Sequence, residues 1–127
     1  MCIAMCQQEA INIPWGGRTS KDLQKRIAEY SNGVLSKFPE PIFINILEKI
    51  TEECDCWPII QKPVMDDIGV LYSEDIVAID KASLDLANEF SGNKFEKINK
   101  TDKKNQISEA KKLNLGKGDY ELIKLDN

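Results

Sequence analysis

The chain has 127 residues, 42% of them hydrophobic and 30% charged, a composition typical of one globular domain rather than of a disordered segment. Seventeen Lys and Arg against 21 Asp and Glu leave a net charge of −4, which argues against long-range attraction of the whole chain to nucleic acid or anionic lipid. No apolar run approaches the roughly 20 residues of a membrane span, and residues 1–13 lack the basic start and apolar stretch of a signal peptide, so the expected location is the cytoplasm.

Residues 1–15 form a short cysteine-bearing lead that ends in Pro14-Trp15, and Gly16-Gly17 then breaks the chain. Thr19 or Ser20 caps a helix with Asp22 in its first turn, and Leu23, Ile27, Tyr30 and Val34 recur at helical spacing, carrying it to about Leu35. Pro41 opens Ile42 to Leu47, an apolar, β-branched run interrupted by Asn45 that predicts a largely buried strand. Pro58 and Pro63 exclude a regular element between Glu52 and Pro63. Ile68 to Tyr72 reads as a second buried strand.

Ser73 and Asp75 are capping residues for a helix over Val77 to Phe90, with Ile79, Ala82, Leu86 and Phe90 as its apolar stripe. Ser91-Gly92-Asn93 ends it. Lys94, Lys97, Lys100, Lys103 and Lys104 crowd a polar stretch without a groove-reading motif, which predicts a solvated face and no nucleic-acid partner. A further helix spans about Gln106 to Leu113, and Tyr120 to Ile123 is the expected last strand. The sum is an α/β fold: a small sheet of about three short strands packed with about three helices.

Histidine is absent, which removes the commonest general base and metal ligand and leaves no Ser–His or Cys–His nucleophile pair. Four cysteines come as two close pairs, Cys2/Cys6 and Cys54/Cys56. In a reducing compartment paired thiols serve more often as metal or redox groups than as disulfides. Cys2-Ile3-Ala4-Met5-Cys6 has the spacing of the last two ligands in the bacterial ferredoxin run, and Cys6-Gln7-Gln8-Glu9-Ala10-Ile11 follows its C-P-x-x-A-I close with Gln7 in the proline's place. Two thiols four apart also suit a helix face, as small buried residues. On the cluster reading, the first two cysteines of the run would precede Met1.

In extended chain Cys54 and Cys56 project to one side and Asp55 to the other, a chelating pair for zinc or iron that Asp66 and Asp67 could complete. A reactive-thiol role and plain packing remain open for the same pair. Asp75 is most simply a helix cap, Asp80 sits on the exposed face, and Lys81 and Asp85 have ion-pair spacing. Gly69 inside a strand marks either close backbone approach or a packing glycine.

From Ile50 the sequence runs I-T-E-E-C-D-C-W-P and later D-D-I-G-V-L-Y-S-E-D-I-V-A-I-D-K-A-S-L-D-L. Here it resembles the uncharacterised iron–sulfur-centre proteins of the domain-of-unknown-function family 362, in which C-D-C precedes D-I-G and D-P-V-A-I-D. The likeness extends to the A-I-N-I-P-W lead and the Leu115-Gly116 to Ile123 tail. Gln7 and Ile76 depart from it, each where the family tends to have proline. The resemblance implies iron–sulfur binding and electron transfer as part of a larger protein. Residues 1–15 would then be the remnant of a ferredoxin-type segment, with Cys2 and Cys6 as ligands of a 4Fe-4S cluster, and residues 16–127 the C-terminal part of an incomplete domain. Two alternatives stand beside it. One is a non-catalytic truncated or split α/β fragment that docks with a missing N-terminal half; the expected partners are that half or a redox partner protein. The other is a small zinc-binding domain using Cys54 and Cys56, with Asp66 and Asp67.

Overall fold

The structure, a computed structural model, describes residues 19–53, 59–100, 102 and 104–125. Its elements in chain order are α1 (Ser20–Leu35), β1 (Phe43–Leu47), β2 (Gly69–Ser73), α2 (Ile76–Phe90), a 3-10 helix (Phe95–Lys100) and α3 (Lys104–Lys112). The three helices and the small sheet establish the α/β class, with two strands where about three were expected. Tyr120 to Ile123 is irregular and exposed, so the third strand is absent among the described residues. An apolar dipeptide such as Leu122-Ile123 needs an open strand edge to become a strand, and this tail runs instead along α2.

Local signals set the element ends. Thr19 caps α1 through a reciprocal box: its hydroxyl accepts from the Asp22 amide, and its own amide donates to the Asp22 carboxylate at 3.1 Å. Asp75 caps α2, and Gly92 and Asn93 follow its end with positive φ. The last helix begins at Lys104, slightly earlier than its apolar pattern suggested.

The strands pair antiparallel, with Ile44 opposite Tyr72 and Ile46 opposite Val70. On the inner face Phe43, Asn45, Leu47, Leu71 and Ser73 are half-buried, and α2 covers them. The outer face lies in water: Ile44, Ile46, Val70 and Tyr72 are each more than 60% exposed. The expectation of largely buried strands is therefore corrected, because among the described residues one layer of helix covers the sheet.

Gly69 stands at the end of the pairing, opposite Leu47, at φ 127°, and a Cβ there would meet no atom within 4 Å. Neither close approach nor packing explains it; only glycine adopts this backbone angle without strain. Gly69→Ala is expected to destabilise the chain by about 1–2 kcal/mol, read as a lower denaturant midpoint at unchanged slope.

The core sits where α2 meets α3 and the sheet and where α1 packs on α3. Ala28, Val77, Ala78, Ile79, Ala82 and Ala87 form it, so it is built mainly of small side chains. Within the stripe expected on α2, Ile79 and Ala82 are buried, whereas Phe90 is half in solvent. On α1 the buried side is Ala28, flanked by half-buried Gln24, Ser31 and Leu35, and this side packs on α3. The stripe that signals the helix in sequence points elsewhere: Leu23, Ile27, Tyr30 and Val34 are 61, 41, 79 and 46% exposed. Small and polar residues allow the two helices to approach, and the Gln106 amide donates to the Gln24 side-chain oxygen at 3.0 Å.

Candidate functional site

The long connection between β1 and β2 is tied across at several levels. Lys49 turns the chain at φ 50°, and its amide donates to Asp67 Oδ1 at 2.7 Å. The Val64 amide reaches the Ile50 carbonyl at 2.8 Å. Further out, Gln61 accepts from the Glu53 amide at 2.9 Å and donates to the Glu53 carbonyl at 3.2 Å. One side chain thus closes a neck at Glu53 and Gln61, between which the C-D-C segment lies in sequence.

Cys54 and Cys56, like Cys2 and Cys6, lie outside the described residues. Of the remaining expected metal ligands, Asp66 is exposed and Asp67 holds the Lys49 turn. Among the described residues, no three Cys, Asp or Glu gather into a metal-holding group.

Asp75 does more than cap. Its Oδ1 accepts from the Val77 and Ala78 amides, both at 2.8 Å, and its Oδ2 accepts from the Lys117 amide at 2.6 Å. Burial alone would raise its pKa, but the backbone N–H groups of Ala78, Lys117, Gly118 and Val77 outweigh that and hold it below the ordinary 3.8. The carboxylate also leaves no room for a Cβ at Gly116, which explains a glycine there. The tail is fastened again by Tyr120, whose hydroxyl donates to Asp85 Oδ2 at 2.8 Å. Lys81 pairs with the same oxygen at 3.2 Å and lies 4.7 Å from the Tyr120 ring centre. Burial and the Asp85 carboxylate push the Tyr120 hydroxyl up to about 12.

Asp80, expected on an exposed face, is half-buried instead. The Asn45 side-chain amide donates to Asp80 Oδ1 at 3.1 Å and to Ser83 Oγ at 2.9 Å, while the Ser83 hydroxyl donates to the Ile79 carbonyl at 2.8 Å. The three residues pin the inner face of β1 to α2. A cavity of about 310 Å³ adjoins them, lined by Gln24, Asp80, Ser83, Leu84, Gln106 and Ile107. Its polar groups are the Asp80 carboxylate, the Ser83 hydroxyl and the Gln24 and Gln106 amides. These are groups that hold a ligand by hydrogen bonds. Asn45, Gln24 and Gln106 were absent from the sequence-derived site, although the polar interruption of an apolar strand at Asn45 was the available signal.

The molecule also carries two open apolar faces. One is the outer sheet face, extended by Ile42 at 62% exposure; the other is the α1 stripe. No helix among the described residues is long and apolar enough to cross a membrane.

No curated protein and no solved structure matches the chain. A family model does, over residues 4–85, that is, from the cysteine-bearing lead through α1 and the sheet to Asp85 of α2. On that match the chain belongs to the family described as Domain of unknown function (DUF362).

Proposed function

We propose that this chain works as a docking unit, binding another polypeptide through the outer face of its sheet rather than acting on a small substrate of its own. The exposure of Ile44, Ile46, Val70 and Tyr72 carries this reading. Contiguous apolar surface rimmed by polar residues is what protein interfaces bury. A two-stranded sheet with helix on one side only is also the architecture that gains most from a second covering layer. A missing N-terminal half or a redox partner protein, both expected from the sequence, are partners of this kind.

A photo-crosslinking amino acid placed at Tyr72 of the full chain in cells tests it. A covalent adduct to a polypeptide at Tyr72, without one at Asp119 on the exposed tail, is the expected result. Absence of any Tyr72 adduct ends the docking reading.

A second reading, cluster binding and electron transfer, rests on the thiols. Cys2 and Cys6 would hold iron of a 4Fe-4S cluster, and Cys54 and Cys56 zinc or iron, because thiolates are the donors these metals take. Such a cluster would supply one-electron chemistry, and this chain's residues would bind and orient it. Anaerobic purification with iron and sulfide assay decides this reading. Colourless protein with zinc that survives Cys2→Ser supports the zinc alternative, and metal-free protein removes both.

A further inference from the structure

Resting on the docking reading, we infer that the occupant of the outer sheet face is a second copy of this chain, contributing the apolar stripe of its α1. Among the described residues neither surface is covered by another element, and the two match. The stripe from Leu23 to Val34 rises over eleven residues, about 16 Å. The outer apolar run from Ile42 to Ile46 spans about 13 Å, so one helix covers one sheet face end to end.

Charge agrees with shape. Glu48 and Glu74 continue the outward alternation at opposite ends of the sheet face, and both are exposed; Lys49 beside Glu48 is the one cation of these strand ends. The stripe is bordered by Arg26 within α1 and followed by Lys37, both exposed, with Glu29 as the acidic partner of Arg26 at 3.2 Å. A basic-edged stripe therefore meets an acid-ended face. Tyr30, 79% exposed, supplies the kind of aromatic anchor that carries binding energy.

Within one chain the two faces do not meet. Among the described residues α1 contacts neither strand and is held on α3 through its Ala28 side. The stripe of one copy can then sit on the sheet of another, giving that sheet helices on both faces. The contact joins different patches, so it closes into a reciprocal pair or continues as a chain of copies.

Sedimentation of the purified full chain at high micromolar concentration tests this, together with Ile44→Glu on the sheet and Ile27→Glu on the stripe. The wild type should associate, and each variant alone should weaken association about tenfold or more. An equal mixture of the two variants retains one intact stripe and one intact sheet face, and should form a capped one-to-one pair. Tyr72→Glu and Val34→Glu provide the same cross should either first variant lose its helical circular dichroism. A monomeric wild type overturns the inference, as does association unchanged in both variants or a mixture that does not pair. If the wild type is monomeric while the Tyr72 probe still captures a polypeptide, the second-copy assignment falls and the docking reading stands. If neither occurs, both fall.

Discussion

Asp75→Ala should be the most damaging single substitution among the described residues. It removes the acceptor for the Val77 and Ala78 amides at the start of α2 and for the Lys117 amide of the tail. Losing a helix cap costs about 1 kcal/mol, and hydrogen bonds to a charged group about 1.5–3 kcal/mol, so a loss near 3 kcal/mol is expected. Against a stability of about 5–15 kcal/mol for a domain, that is a large fraction. Denaturant titration reads the loss, and hydrogen exchange at Lys117 and Gly118 should accelerate with it.

The same carboxylate makes a pH prediction. Its folded pKa lies below the unfolded 3.8, so the folded state binds the proton less readily than the unfolded chain. Its contribution is therefore fully present above about pH 4 and is lost as pH falls through the lower folded value. Asp75→Asn, which does not titrate, should flatten that acid limb while keeping part of the cap. An acid limb identical in Asp75→Asn and the wild type would show that the tail amides do not bind the carboxylate.

The second large effect is expected at Asn45. Asn45→Ala leaves the half-buried Asp80 carboxylate without its described donor and opens space against α2, at a cost of about 2 kcal/mol. Asp80→Ala on its own should cost less, because Asn45 keeps Ser83 as a partner. A double-mutant cycle over Asn45 and Asp80 should return a clear favourable coupling. Additive effects would mean that the pair does not interact, and the account of how β1 is held on α2 would fail.

These predictions also show which parts of the molecule are legible in one dimension. Thr19 with Asp22, and Asp75 with Val77 and Ala78, are satisfied within three residues, so their donors and acceptors are readable from spacing alone. The three helices and both strands follow from such local chemistry. The family match likewise follows the linear sequence, over residues 4–85, a stretch that includes C-D-C and V-A-I-D.

Burial is a different kind of fact. The pattern Leu23, Ile27, Tyr30, Val34 announces a helix but not what covers it, and α1 packs by Ala28 and Gln24 because α3 lies on that side. Ile42 to Leu47 is apolar on both faces, but among the described residues only α2 shelters one of them, and Asn45 turns inward because Asp80 and Ser83 wait there. Tyr120 to Ile123 has strand-forming residues, but the bonds of Lys117 to Asp75 and of Tyr120 to Asp85 make this segment a tail fastened to α2 and its cap. Periodicity and caps depend on neighbours in the chain, and the sequence by itself determines them. Which apolar face meets protein and which meets water depends on elements far apart in sequence, and only the tertiary structure decides that.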